Sequence, residues 1–152
     1  MPGINGGNRR QSSPACPARK RYLGCGAVAA IIKNETGKIL LTRRNVDPFK
    51  GQWCLPGGHI DEFENTKEAA VREAKEETGL NFEAEFFAYA DEIIPEFNWH
   101  AVVMIFAGKG TGEPIAQEGE VADIAWFSLE EARSLQLAFV HNQILDKFAS
   151  QK

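Results

Sequence analysis

The sequence has 152 residues, which is enough for one domain with a sizeable hydrophobic core. Hydrophobic residues make up 43% and charged residues 25%, as in soluble globular proteins, and no apolar run approaches the ~20 residues that a membrane-spanning helix needs. The net charge of −4 is unevenly distributed, and the acidic body of 12 bases and 21 acids after residue 21 argues against nucleic acid as the main partner.

The first part of the chain differs from the rest in composition. Residues 1–21 contain five Arg or Lys residues, no acid and many Gly, Pro and Ser residues, so we expect a flexible basic N-terminal tail. Residues 22–152 are predicted to form a single domain. We expect no secretory signal. Cys16, Cys25 and Cys54 are too widely spaced for a disulfide framework or a zinc site. Because an odd number of cysteines without a signal peptide favours a reducing compartment, we expect a cytoplasmic protein.

The hydrophobic pattern from residue 23 onward predicts a succession of strands and helices. In chain order these are strands at 23–33 and 38–44, a helix at 66–78, strands at 82–91, 99–107 and 122–127, and a helix at about 138–149. In the last helix the predicted buried stripe consists of Phe139, Ile144, Leu145 and Phe148. The order of elements predicts an α/β (α+β) domain with a curved mixed β-sheet between helices.

The helix predicted at 66–78 carries three acidic residues on one face. Its start is indicated by a capping-box pattern of Asn65 and Glu68. Glu73 lies three and four positions before Glu76 and Glu77, a spacing that places the three carboxylates together. Like charges at this spacing destabilise a helix, and Mg²⁺ or Mn²⁺ would offset the repulsion because both ions prefer oxygen ligands. A solvated acidic helix face is the alternative interpretation.

The segment around this helix resembles the signature of a known family. Gly58 is followed by five residues, Glu64, seven residues and then the sequence REAKEETGL at 72–80. This pattern is similar to the Nudix hydrolase signature G-x5-E-x7-R-E-U-x-E-E-x-G-U, in which U is apolar. Ala74 is smaller than the residue usual at its position, and Phe63 stands where many relatives have Gly. The resemblance extends over about residues 22–150.

The resemblance implies a Nudix-like α/β/α sandwich and an enzyme that hydrolyses a nucleoside diphosphate linked to another moiety. Metal-activated water would attack a phosphoanhydride phosphorus, with Mg²⁺ as cofactor and Mn²⁺ as a substitute. Glu73 and Glu77 are implied as the main metal ligands. Glu76 would share metal binding or water activation with them, and Gly57 would contribute its carbonyl. We therefore predict that these three glutamates are catalytic.

Further residues acquire predicted roles from the same resemblance. Arg72 and Glu64 would form an ion pair that orients the helix. Family members often take another acid, as base or metal ligand, from a loop between late strands. Glu118 and Glu120 are both candidates here, and we favour Glu118 as a catalytic residue.

Substrate contacts are predicted outside the signature. Arg44 lies at the end of a strand before the glycine loop and could reach a phosphate, whereas Arg43 would point to the opposite side of that strand. Phe97 and Trp99 lie in a polar context and could stack on a base. Trp126 is expected to belong to the core.

The sequence leaves two substrate classes open. Pro95 lies 15 residues beyond Leu80. Because Nudix members that act on ADP-ribose or nucleotide sugars tend to carry a proline near this position, the resemblance favours a pyrophosphatase of that group, which we place first. The alternative is a nucleoside triphosphate pyrophosphohydrolase acting on oxidised or non-standard dNTPs. A non-catalytic nucleotide-binding module is a minor alternative, since all three helix carboxylates are present. The partner is expected to be a small nucleotide, and the chain could be a monomer or a homodimer.

Overall fold

The computed structural model describes residues 25–151 and contains a mixed α+β fold. The strands are β1 (Cys25–Lys33), β2 (Ile39–Arg44), β3 (Trp53–Cys54), β4 (Gly57–His59), β5 (Asn81–Phe82), β6 (Glu85–Ile94), β7 (Trp99–Thr111) and β8 (Val121–Phe127). The helices are α1 (Thr66–Thr78), α2 (Leu129–Ser134) and α3 (His141–Ser150), and a 3-10 turn spans Pro95–Phe97. The predicted tail at 1–21 lies outside the described residues. Within 25–151, none of the helices has the length and apolarity to cross a membrane.

One mixed sheet forms the centre of the molecule. Its main path runs β3-β2-β1-β7-β5, while β8 pairs with β2 and β6 pairs with β7. Strand β1 is parallel to β7 and antiparallel to both β2 and β4. The β1–β2 pair begins at Lys33 and Ile39, which confirms the hairpin indicated by the first two predicted strands. Strand β4 therefore lies beside β1, next to the centre of the sheet.

Helices cover both faces of the sheet, which confirms the predicted sandwich of helices around a mixed sheet. On one face, Ala132 of α2 and Ile144, Leu145 and Phe148 of α3 pack against apolar residues of β1, β2 and β7. On the other face, α1 packs through small residues against β1 and β2. The buried residues of α1 in this cluster are Ala69, Ala70 and Ala74. These alanines let the helix lie close to the sheet, which explains why a small residue occupies position 74.

The ends of α1 agree with the capping signals in the sequence. Asn65 accepts a hydrogen bond from the backbone N–H of Glu68 at 2.9 Å, and the Glu68 carboxylate accepts one in return from the backbone N–H of Asn65 at 3.4 Å. Gly79 ends the helix with φ of 75°, a left-handed conformation that glycine adopts without a Cβ clash. The carboxylates of α1 are therefore held at fixed positions along its axis.

The last helix begins later than predicted. It starts at His141 rather than at about residue 138, and Phe139 lies before it with φ of 55°. A left-handed residue interrupts the helical path, so Phe139 leaves the predicted buried stripe and projects beside Trp99, with ring centroids 5.2 Å apart. Ile144, Leu145 and Phe148 are buried on α3 as predicted.

Candidate catalytic site on the first helix

Two carboxylates of α1 lie against the glycines of β4. The backbone N–H of Gly57 donates a hydrogen bond to Glu77 Oε2 at 3.2 Å. A Cβ at position 58 would lie 2.7 Å from Glu73 Oε1, and one at position 57 would lie 2.1 Å from the carbonyl oxygen of Val28. The Gly57–Gly58 pair therefore allows the backbone of β4 to approach both β1 and the acidic face of α1.

Arg72 forms hydrogen bonds with several of the carboxylates at this acidic face. Arg72 Nε and Nη2 donate to the two carboxylate oxygens of Glu64 at 2.7 and 2.9 Å. Nη1 donates to Glu73 at 2.7 Å and to Glu76 at 3.3 Å, and Nη2 also donates to the carbonyl of His59 at 3.0 Å. The structure thus brings Arg72 and Glu64 together as predicted. Arg72 also binds two glutamates of α1 and a backbone carbonyl of β4.

The loop that presents Glu64 contains a strained residue. Phe63 has φ of 65° and a side chain that is 99% exposed. This left-handed conformation is unfavourable for a residue with a Cβ and is readily adopted by glycine, the residue that the family resemblance leads one to expect here. Phe63 therefore preserves the turn that directs Glu64 toward Arg72.

Among residues 25–151, negative charge exceeds positive charge around the acidic face of α1. Burial raises the pKa of Glu73 to about 7, with the charges of Glu76 and Glu120 acting in the same direction and Arg72 opposing them. Burial and the charge of Glu73 raise the pKa of Glu77 well above its usual range, although the Gly57 N–H opposes this. An additional cation at this position would be stabilised by the same charges that repel each other in its absence.

The donor set suits a hard divalent cation. Glu73, Glu76 and Glu77 supply carboxylate oxygens, which Mg²⁺ and Mn²⁺ prefer as ligands. Within residues 25–151, no three His, Cys, Asp or Glu side chains already converge as a preformed metal site. Arg72 engages one oxygen each of Glu73 and Glu76, so metal binding at this face requires these side chains to reorient.

Of the two acids in the loop before β8, Glu120 lies closer to the electrostatic environment of Glu73 and Glu77 than Glu118 does. The segment before β8 is fixed to α1 by the bond from Gln117 N–H to the Glu77 carbonyl at 3.1 Å, and Asn45 N–H donates to the Glu120 carbonyl at 2.9 Å. Glu120 is half-buried, and its charge raises the pKa of both Glu73 and Glu77. Glu118, which the sequence favoured, is exposed on the same loop.

Arg44 lies between the acidic face and a group of aromatic residues. Its Nε donates to the carbonyl of Pro48 at 2.7 Å, and its guanidinium carbon is 4.8 Å from the ring centroid of Phe139. Its positive charge opposes the rise in the pKa of Glu77. The adjacent Arg43 instead lies 5.9 Å from the ring of Trp53. Of the two arginines, Arg44 is therefore the one positioned beside the candidate site.

Four aromatic residues, here called the aromatic cluster, continue from Arg44: Phe49, Phe97, Trp99 and Phe139. The ring centroid of Phe49 lies 4.9 Å from those of both Phe97 and Phe139, and Trp99 lies 5.2 Å from Phe139. Phe97 is 48% exposed. The structure therefore brings together the predicted substrate residues Phe97, Trp99 and Arg44. Phe49 and Phe139 were not predicted, because their left-handed φ values of 64° and 55° depend on loop conformation.

A buried polar pair lies beneath the aromatic cluster. Glu92 is 3% exposed on β6, and its Oε1 accepts a hydrogen bond from Trp99 Nε1 at 2.7 Å. His141 Nδ1 accepts a hydrogen bond from the backbone N–H of Leu55 at 2.9 Å, and its Nε2 is 3.9 Å from Glu92 Oε2. Glu92 was not predicted as a functional residue, because the predicted strand ended at residue 91. The alternation of inward residues at 88, 90 and 92 was the available signal.

Known proteins with similar sequences were found for most of this chain. A family model described as NUDIX domain matches residues 25–148. Human 8-oxo-dGDP phosphatase NUDT18 is 32% identical over 126 residues, which cover 83% of this chain and 35% of that protein. An ADP-ribose pyrophosphatase from Methanocaldococcus jannaschii is 54% identical over 54 residues, covering 36% of this chain and 31% of that protein. The aligned parts of this chain thus span about a third of each of these two relatives.

A solved structure shows the same architecture. The crystal structure of a MutT NUDIX hydrolase from Burkholderia pseudomallei superposes with a TM-score of 0.74 at 29% sequence identity. The match covers 81% of this chain and 96% of that one. The similarity therefore extends beyond the signature segment to the sheet and to helices on both of its faces.

Replacing Arg72 should destabilise the protein more than replacing an arginine in an exposed ion pair. Arg72→Ala leaves partly buried carboxylates of Glu64 and Glu73 without their cation, and we expect the free energy of unfolding to fall by about 2–4 kcal/mol. Arg133→Ala removes an exposed pair with Asp146 at 2.9 Å and should cost about 0–1 kcal/mol. Urea denaturation of both variants measures the difference, and equal losses would contradict the structural role of Arg72.

Burial of His141 should make the protein sensitive to acid. Burial, assisted by the charge of Arg44, lowers the pKa of His141 to about 3, whereas the unfolded chain binds this proton near pH 6.5. The stability that the neutral ring contributes is therefore complete above about pH 6.5 and is lost as the pH falls toward 3. From pH 7.5 to pH 5 the loss should be about 2 kcal/mol.

The variant His141→Asn isolates this effect, because the asparagine Oδ1 takes the place of Nδ1, can accept the Leu55 N–H bond and does not titrate. Glu73 and Glu77, whose pKa values are also raised, are present in both proteins and lie on α1, so their contributions cancel in the comparison. We expect the difference in unfolding free energy between wild type and variant to shift by about 2 kcal/mol against the wild type at pH 5. Urea denaturation at both pH values measures it, and an unchanged difference would show that folding does not depress the pKa of His141.

Proposed function

The chain belongs to the Nudix family, and we propose that it hydrolyses a phosphoanhydride bond in a nucleoside diphosphate derivative with the help of a divalent metal ion. The observation that carries the proposal is the partial burial of Glu73 and Glu77 against Gly57 and Gly58, with only part of their charge balanced by Arg72. A surface whose only role was solvation would have no need to bury these carboxylates.

Glu73, Glu76 and Glu77 would hold Mg²⁺ or Mn²⁺, together with the carbonyl of Gly57. When bound, such an ion neutralises phosphate charge and lowers the pKa of a water molecule. Arg72 would orient the helix through Glu64 without contacting the reacting atoms. This division of roles is supported by the position of Arg72, whose donors are directed to side chains and to a backbone carbonyl of the protein itself.

The remaining residues would bind the substrate and move a proton. We assign Arg44 to a phosphate group, since its charge lies between the acidic face and the aromatic cluster. Phe97 and Trp99 would stack on the base. Glu120 would accept a proton as water attacks phosphorus and the bridging P–O bond breaks, which gives two phosphate-bearing products. Glu118 remains the alternative for this role.

Two substrate classes can be ranked by what supports them. The 126-residue alignment with an 8-oxo-dGDP phosphatase reaches well beyond the signature and favours an oxidised purine nucleotide as the first candidate. The shorter and more identical match to an ADP-ribose pyrophosphatase supports ADP-ribose or a nucleotide sugar as the second. For the second class, Pro95 begins the turn that carries Phe97 to Phe49. The ranking thus reverses the order that the proline alone had favoured.

A substrate panel tests the proposal and separates the two classes. The full chain is assayed for phosphate or pyrophosphate release from 8-oxo-dGDP, 8-oxo-dGTP and dGTP and for AMP release from ADP-ribose and ADP-glucose, with Mg²⁺, with Mn²⁺ and with EDTA. We expect metal-dependent turnover with kcat/KM highest for an oxidised guanine nucleotide. Preference for ADP-ribose would reverse the ranking. Nucleotide binding without hydrolysis of any compound would contradict the proposed activity and favour a binding module.

Glu77→Gln should abolish most activity without unfolding the protein. The substitution removes a metal-binding charge, so we expect kcat to fall by at least ~10²-fold. It also removes repulsion with Glu73, so the melting temperature in EDTA should not fall.

Within the loop before β8, Glu120→Gln should lower kcat by at least ~10-fold, while the matched control Glu118→Gln should leave it nearly unchanged. The opposite result for this pair would return the role to Glu118.

A further inference from the structure

We propose that Glu92 is a positioning residue for nucleotide binding, because it fixes the indole of Trp99 at the wall of the aromatic cluster. The inference rests on the proposed function and adds a specificity role for a residue that cannot itself touch the substrate. Glu92 is 3% exposed, and neither carboxylate oxygen is directed to solvent. Its influence on a ligand must therefore pass through its neighbours.

The hydrogen bond from Trp99 Nε1 to Glu92 Oε1 is short, at 2.7 Å. Trp99 and Glu92 lie on adjacent strands near the turn at Pro95–Phe97, and Trp99 is only partly buried. One edge of the indole is thus anchored to a buried acceptor, while the ring packs 5.6 Å from His59 and 5.2 Å from Phe139. A ring held in this way presents a preorganised surface and loses little freedom when a base stacks on it.

The surroundings of Glu92 indicate that its carboxylate does more than fill space. A buried acid is unfavourable in an apolar core, and an aliphatic residue at the same position would avoid that cost. The backbone of Val140 also stabilises the carboxylate, and the other oxygen, Oε2, lies 3.9 Å from His141 Nε2. His141 in turn binds the backbone of Leu55, two residues before Gly57. Glu92 therefore lies between the wall of the aromatic cluster and the segment that leads to the acidic face.

Loss of the acceptor should change binding of the base and leave the reaction centre unchanged. Without Glu92, the Trp99 N–H would have no buried partner, and the indole could adopt other orientations. Affinity for substrates that carry a base would fall, whereas affinity for a phosphoanhydride without a base would remain. Because Glu73 and Glu77 lie on a different element, kcat should be conserved.

The test compares Glu92→Leu, Glu92→Gln and Trp99→Phe with the wild-type full chain. Glu92→Leu removes the acceptor at similar volume, Glu92→Gln retains one, and Trp99→Phe keeps a ring without the donor. Trp126→Phe is the matched control, since Trp126 packs on the α1 side of the sheet and outside the aromatic cluster. Steady-state kinetics use 8-oxo-dGDP and ADP-ribose, and phosphoribosyl pyrophosphate serves as the base-free compound through its inhibition constant.

We expect Glu92→Leu and Trp99→Phe each to raise KM for the hydrolysed nucleotide about tenfold, with kcat and the inhibition constant of phosphoribosyl pyrophosphate within about twofold of wild type. The double variant should be no worse than either single one, because both changes remove the same hydrogen bond. Glu92→Gln and Trp126→Phe should stay within about threefold of wild-type KM.

Three outcomes would overturn the inference: an unchanged KM in Glu92→Leu, an equal weakening of the base-free compound, or independent effects that multiply in the double variant. If Glu92→Leu fails to fold, Glu92→Met replaces it as the variant without an acceptor, and an unchanged KM in that variant or in Trp99→Phe rejects the inference. Hydrolysis by the wild type together with any of these results rejects only the role of Glu92. Absence of nucleotide hydrolysis by the wild type rejects the proposed function as well.

Discussion

The rest of the structure depends on the contact between Arg72 and the carboxylates that surround it. Several acids are packed into a small volume, and Arg72 is the cation that contacts Glu64, Glu73 and Glu76 together. This arrangement requires α1 to lie close to β4, which its buried alanines permit and which Gly58 permits from the other side. The small residues and the acids are therefore parts of one constraint. A larger side chain at Gly58 would displace the Glu73 carboxylate that Arg72 holds.

A short stretch of backbone joins the two ends of the candidate site. The N–H of Gly57 binds Glu77 on α1, and the N–H of Leu55 binds His141 at the start of α3. These helices lie on opposite faces of the sheet, so the segment between β3 and β4 is held from both sides. His141 also lies near Glu92, whose other oxygen anchors Trp99. Displacement of this segment would consequently affect the acidic face and the aromatic cluster together.

Local signals in the sequence were sufficient for α1 and insufficient for the loops. Asn65 and Glu68 at the start of the helix and Gly79 at its end depend on contacts within a few residues, so both boundaries could be predicted. The choice between Glu118 and Glu120 depends on long-range hydrogen bonds that fix the loop to α1 and to the segment after β2, and spacing along the chain does not reveal these. The left-handed conformation of Phe139 is likewise set by tertiary packing, although helical periodicity placed this residue on a buried face.

The three arms of the Arg72 guanidinium perform separable tasks, and this bears on how the acidic face could accept a divalent ion. Nε and Nη2 bind both oxygens of Glu64, and Nη2 also binds the His59 carbonyl, whereas Nη1 alone reaches Glu73 and Glu76. A cation that took the oxygens of Glu73 and Glu76 would displace only the Nη1 contacts. The bidentate bond to Glu64 would continue to hold α1 against the loop, because its two hydrogen bonds do not involve Nη1. The same arginine can therefore stabilise the helix in the absence of metal and remain in place when the carboxylates reorient.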